Sequence, residues 1–376
     1  MALTRRRFMI SSGVALGGVE GQGSESGDAF RDAVRQAVWD RVIAGGAWWV
    51  ERRGVACHGA YGFAVKVPQA EKARVSEATL FDVASLTKVL ATTPCVMKLV
   101  ELGKVDLKAP VKTYLSAFAR QGREKITVRQ LLTHTSGLKP GLSRLVPWRG
   151  YEEGIRLAHE TEPLDAPDAV FRYSDINFIL LGELVRQVSG KPLDAFAHET
   201  IFAPLGMVDT MFNPPAALRV RLAATENDES GMMLRGTVHD PTSRLMGGVT
   251  GHAGLFSTAR DVARYARCVM MGGELDGRRV MTAETVRLMT TVASPKHLAE
   301  KRALGWDVDT KYSRPRGGFP VGKSFGHTGF TGCCLWIDPE AQAFFVFVSN
   351  RLHETDPDSD SRSLYEALGG IAGSDR

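Results

Sequence analysis

Ser324-Phe325-Gly326-His327-Thr328-Gly329-Phe330-Thr331-Gly332-Cys333-Cys334-Leu335-Trp336-Ile337-Asp338 contains two β-rich runs, 324–329 and 331–338, joined through small residues. Ala343 to Ser349 adds a third run after them, and Ala303 to Asp309 another before them. Near the other end of the chain, Ala47 to Val50 and Val55 to Val65 flank Glu51-Arg52-Arg53-Gly54, a hairpin signal. From about residue 85 to 245 the pattern is mostly helical, with a capping box at Thr127 to Gln130 and an apolar helix over Asp175 to Gly190. Strands at both ends around a helical middle predict an α+β fold of the α/β sandwich type. Its central antiparallel sheet is built from both chain ends, flanked by helices, with a mostly helical subdomain inserted at about 89–245. Phe30, Val34, Ala37, Val38 and Val42 recur at helical spacing and predict an amphipathic first helix that ends at Gly45-Gly46. Ser361 to Leu368 reads as a closing helix. One domain is expected over 28–376.

The composition, 44% hydrophobic and 24% charged over 376 residues, is that of a globular chain and excludes the disordered and fibrous classes. A formal charge of +5 with scattered Lys and Arg gives no stripe for a nucleic-acid partner. Thr4-Arg5-Arg6-Arg7-Phe8-Met9-Ile10 has the form of a twin-arginine export signal, and residues 20–27 are a polar, glycine-rich linker. Residues 1–27 therefore predict delivery to the periplasm or the exterior, the alternative being a basic terminus on a cytoplasmic protein. The five cysteines lack C-x-x-C spacing and the nine histidines lack an H-E-x-x-H pair, so no metal and no cofactor is expected. No apolar run reaches membrane-spanning length.

Ser85-Leu86-Thr87-Lys88 at a helix start places a hydroxyl and an amine on one face, since residues three apart share it. Pro94 is expected to kink or interrupt that helix. Ser136-Gly137-Leu138-Lys139 has the same spacing, but Gly137 and the following Pro140 predict a turn with no shared face. A lysine serves as base only when burial or positive neighbours keep it neutral. Tyr173, in Phe171-Arg172-Tyr173-Ser174-Asp175-Ile176-Asn177, supplies a phenol just before an apolar helix, and Gly326-His327-Thr328-Gly329 supplies a strand that a ligand backbone can approach closely. There is no G-x-S-x-G elbow for a Ser-His-Asp arrangement. His134 and His252 are read as residues that hold loops. Arg351, after the last strand, is a candidate for a substrate carboxylate or a plain surface arginine.

An S-x-x-K, a Y-x-N-like tyrosine and a K-T-G-like triplet, in that order, resemble the signature of the serine β-lactamases and penicillin-binding proteins, in particular the class C-like branch that includes D-Ala-D-Ala carboxypeptidases and esterases. Thr133 to Leu138, Gly251 to Thr258 and Leu335 to Pro339 are also similar to that family. The resemblance implies a nucleophile at Ser85, with Lys88 or Tyr173 as base and Tyr173 protonating the leaving group. It implies an oxyanion hole from the backbone N–H groups of Ser85 and Phe330, and a substrate edge lined by Asp175, His327, Thr328 and Gly329. The substrate would be a cell-wall peptide, a β-lactam or an ester. Asp175 and His327 depart from the family's asparagine and lysine, which argues against an optimised β-lactamase. Carboxypeptidase-like, β-lactamase and carboxylesterase activities thus remain open, as does a module that binds without turnover.

Overall fold

The computed structural model describes residues 25–119, 122–354 and 361–374, so the arginine-rich run read above as an export signal lies outside the described residues. Helix α1, Glu25–Trp39, comes first; strands β1, Gly45–Arg52, β2, Val55–Val65, and β3, Ala73–Arg74, follow. The strand begins at Gly45 itself, where a Cβ would lie 2.6 Å from the Phe63 backbone nitrogen, so the two glycines belong to the sheet and do not end a helix.

Short strands β4, Phe81–Asp82, β5, Met211–Phe212, and β6, Leu255–Ser257, form a small separate sheet in the order β4-β6-β5. Within the central part run the helices α2, Thr93–Glu101, and α3, Asp175–Ser189; α4, Ala259–Met270, follows β6. Strands β7, Lys301–Arg302, β8, Asp307–Asp309, β9, Phe325–Gly329, β10, Cys333–Asp338, and β11, Ala343–Ser349, lead to the last helix α5, Ser361–Gly373. The large sheet has eight strands in the order β7-β8-β9-β10-β11-β1-β2-β3, antiparallel throughout. It is the antiparallel α+β sheet, closed from both chain ends, that the pattern of strands predicts.

β11 shows how the layers are made. All seven of its residues are buried, and successive side chains face opposite sides of the sheet. Phe345 and Phe347 pack with Phe30, Trp48, Leu364 and Leu368 under α1 and α5. Phe344, Val346 and Val348 join the larger core that contains α2, α3 and α4. Each such aromatic side chain contributes about 1.5–3 kcal/mol by leaving water. On α3, residues 176–185 are buried without interruption, so this helix is the axis of the helical part and carries Tyr173 and Asp175 at its entrance. Among the described residues, no helix is long and apolar enough to cross a membrane.

Candidate active site

Ser85 sits on a tight turn, Ala84–Leu86, and not within a regular helix. Asp82, at the end of β4, makes that turn: its carboxylate accepts the Ala84 N–H at 2.8 Å and the His239 N–H at 2.7 Å. Ala84 is held in the left-handed region at φ 45°, a conformation that costs a non-glycine residue about 1–3 kcal/mol and persists where its surroundings fix it. Thr87 completes the clamp by donating to the Ala84 carbonyl at 2.6 Å and accepting the Leu255 N–H at 3.2 Å. One wide turn, Lys88–Thr92, then leads into α2. Pro94 falls in the first turn of α2, where a missing N–H is tolerated, so the interruption expected at Pro94 lies just upstream of it.

The Ser85–Lys88 pair is formed. Lys88 is fully buried, and its Nζ donates to Ser85 Oγ at 2.9 Å and to the His252 carbonyl at 2.9 Å. The segment carrying His252 crosses α3 closely; a Cβ on Gly251 would lie 1.9 Å from the Phe178 carbonyl oxygen, so only glycine fits. His252 itself is held between Asp240 Oδ1, at 2.8 Å, and Thr250 Oγ1, at 3.0 Å. It is a loop-holding residue, as is His134, whose Nδ1 accepts the Ser174 N–H at 3.2 Å.

Tyr173 precedes α3, whose N-cap is Ser174. Its ring lies 5.1 Å from Lys88 Nζ and 4.4 Å from the His134 ring, and its hydroxyl interacts with both Ser85 and Lys88. Burial raises the phenol's pKa, against the opposing pull of the Lys88 charge. Asp175 adds a contact that its assignment to the substrate edge does not contain. Oδ1 lies 2.7 Å from Lys88 Nζ, with the Asp175 side chain a third exposed. Burial lowers the lysine's pKa, but the Asp175 carboxylate, helped by Tyr173, outweighs it, and the net shift is upward. The carboxylate thus favours the charged form of Lys88.

β9 forms the opposite wall. Gly329 passes so near the turn that carries Ser85 that a Cβ there would sit 2.4 Å from the Val83 carbonyl oxygen. Its neighbour His327 is buried and pairs only with the Thr328 carbonyl, 2.8 Å from Nδ1, leaving Nε2 without a hydrogen bond among the described residues. Burial first, then the charges of Arg302 and Lys88, hold the His327 pKa well below the usual imidazole range, so the ring is neutral. Phe330 is 63% exposed, and its ring stacks on His239 at 5.5 Å. Arg351 lies over the same ring at 5.1 Å and donates to the Phe330 carbonyl at 2.8 Å.

A cavity of about 470 Å³ opens beside Ser85, Tyr173, His327, Thr328, Gly329 and Phe330. Lys311, Arg314, Arg351 and Arg362 also line it, along with the buried Arg302–Asp307 pair. Two residues of this site escape sequence reasoning. Asp82 lies three positions before Ser85, where a short acceptor ahead of a turn is the available signal. Arg302 has no local signal, because its place is made by strand pairing.

The family model for beta-lactamase matches residues 30–368. The chain belongs to the beta-lactamase family. The chain is similar to an Escherichia coli O157:H7 protein named as a D-alanyl-D-alanine carboxypeptidase, 33% identical over 317 residues, 76% of this chain and 72% of the relative. A Bacillus subtilis protein named N-acetylmuramyl-L-alanine amidase is 32% identical over 328 residues, covering 78% and 74% respectively. The crystal structure of a penicillin-binding protein homologue from Caulobacter crescentus superposes with a TM-score of 0.73 at 22% identity, over 93% of this chain and 97% of that one. The last comparison bears on the fold, which is the beta-lactamase and penicillin-binding-protein fold. This chain is accordingly a hydrolase of that family.

Proposed function

We propose that the chain is a serine hydrolase that forms an acyl-enzyme on Ser85 and acts on D-Ala-D-Ala-type peptides or related amides and esters. The observation that carries this reading is the 2.9 Å contact of a fully buried Lys88 Nζ with Ser85 Oγ at the edge of an open cavity. A lysine buried at such depth costs stability unless it has a task or a partner.

In this mechanism Ser85 Oγ attacks the substrate carbonyl, and the oxyanion takes the backbone N–H groups of Ser85 and Phe330. Neither N–H donates elsewhere among the described residues. One such donor is worth about 3 kcal/mol in the transition state. Tyr173 is placed to protonate the leaving group, and water then releases the acyl chain. The substrate lies along β9, against Thr328 and Gly329. Lys311, Arg314, Arg351 and Arg362 favour a substrate with a free carboxylate, which a D-alanyl terminus provides. The names of the bacterial relatives point to cell-wall amides too, and the Arg5-Arg6 pair supports export to where such amides are found.

The test is mass spectrometry of the intact protein and its peptides after incubation with a penicillin, a phosphonate probe and a D-Ala-D-Ala peptide. An adduct on Ser85 is expected, with D-alanine released from the peptide. Hydrolysis of the penicillin or of an ester without D-alanine release would favour the β-lactamase or carboxylesterase activity. Folded protein with no adduct would overturn the acyl-enzyme.

A further inference from the structure

We propose that Asp175 is the final acceptor of a proton during Ser85 acylation, with Lys88 relaying it by passing one proton to Asp175 and taking another from Ser85. The inference rests on the acyl-enzyme reading above and assigns its base. Lys88 Nζ donates to Ser85 Oγ at 2.9 Å and to the His252 carbonyl at 2.9 Å, interacts with the Tyr173 hydroxyl, and forms an ion pair with Asp175 Oδ1 at 2.7 Å. An ammonium nitrogen has no lone pair, so it takes the Ser85 proton only after giving one up. Asp175 Oδ1 is buried and accepts no conventional hydrogen bond from any described group, so the lysine is its one close partner. The main chain fixes this geometry, because the Asp175 N–H donates to the Pro140 carbonyl at 2.7 Å and the residue opens α3.

The step balances. The Lys88 N–H nearest Asp175 breaks first and its proton passes to Oδ1, 2.7 Å away. Rotation about Cε–Nζ turns the freed lone pair toward Ser85, where it takes the hydroxyl proton and becomes an ammonium again as Oγ bonds to the substrate carbonyl carbon. When the tetrahedral intermediate collapses, the leaving nitrogen or oxygen takes the Tyr173 hydroxyl proton. Tyr173 is refilled from Lys88, and Lys88 from Asp175, which restores the resting state. An asparagine at this position donates and accepts through an amide but holds no proton in this way.

Other charged groups face the pair from every side. Tyr173 and His134 lie ahead of α3, His327 lies on β9 and Arg302 on β7, while Asp240 and His252 come from the loop before β6. His134 and His327 are both kept neutral, mainly by burial. His252 is paired with Asp240. Asp175 is the carboxylate in contact with the lysine.

The test is the second-order rate of Ser85 acylation by a fluorescent penicillin and by p-nitrophenyl butyrate, from pH 6 to 9, for the full chain and for Asp175→Asn and Asp175→Glu. For the wild type we expect a rate flat to within about threefold. A neutral Lys88 with a raised pKa, or a Tyr173 phenolate, would instead require a rise of about tenfold per pH unit. Asp175→Asn should lose at least about tenfold at pH 7 and gain a rising limb, because Lys88, without its carboxylate, must then shed its own proton. Asp175→Glu should recover part of the rate. A tenfold-per-unit rise in the wild type, or a flat, undiminished profile in Asp175→Asn, would overturn the relay while leaving the acyl-enzyme intact. Absence of any Ser85 adduct in the wild type would overturn both.

Discussion

The chain contains two serine-lysine pairs at identical spacing, and their surroundings share almost nothing. Ser85 lies on a turn pinned by Asp82, facing a cavity, with Lys88 buried beside it. Ser136 is buried, donates to Asn177 Oδ1 at 2.6 Å and accepts the Leu138 N–H, while Lys139 is exposed. Gly137, at φ 79°, turns the chain between them and leaves no room for a Cβ, which would lie 2.0 Å from the Asp165 carbonyl oxygen. A lysine three residues after a serine therefore becomes chemically useful only where the backbone is coiled tightly enough to bring both side chains to one place. Elsewhere the same letters make a turn that braces α3.

The largest effect that would sharpen this contrast is on turnover. Ser85→Ala and Lys88→Ala should each lower kcat/KM by at least about a thousandfold, with Ser85→Ala melting like the wild type. Ser136→Ala should behave in the opposite way, keeping turnover and losing about 1–3 kcal/mol of stability because Asn177 Oδ1 loses its donor in a dry site. Denaturant melts beside kinetics read both, and a Ser136→Ala protein that is stable but inactive would break the comparison.

Next in size is Gly329→Ala. The added methyl must push β9 away from Val83 and with it the Phe330 N–H, so we expect at least about a tenfold loss of acylation rate with a modest change in melting temperature. Ala at the exposed Gly122, where a Cβ meets nothing but where φ is 77°, should change stability alone.

A third test concerns pH. His134 and His327 are buried neutral, with pKa values well below that of the unfolded chain. Such groups contribute stability that is fully present above the unfolded value near 6.5, and lost as pH falls below it, by at most about 1.4 kcal/mol per pH unit for each histidine. Unfolding free energies between pH 7 and 5 should therefore decline, and His134→Asn should flatten the decline. A slope that is the same in both proteins would mean that groups other than His134 set the acid sensitivity. The smallest effect belongs to Lys139→Ala, expected within about 0.5 kcal/mol and twofold in kcat/KM of the wild type.

The legibility of the site follows the range of its interactions. Ser85, Lys88 and Tyr173 are readable because local patterns carry them: a three-residue spacing and a helix entrance. The α+β order is readable because short apolar runs rich in aromatic and β-branched residues, such as 343–349, contrast with the longer helical run over 175–190. Asp175 is visible as a departure from the family pattern, but its 2.7 Å contact with Lys88 depends on how α3 packs against the turn after Ser85.

Hydrophobic periodicity and short motifs are properties of neighbouring residues, so the sequence alone marks the strands, the helices and Ser85 as the candidate nucleophile. The charge on Lys88, the neutrality of His327 and the roles of Asp82 and Arg302 depend on groups that meet from distant parts of the chain. Burial and Coulomb interaction act through space and change steeply over a few ångströms. Only the tertiary structure could decide them.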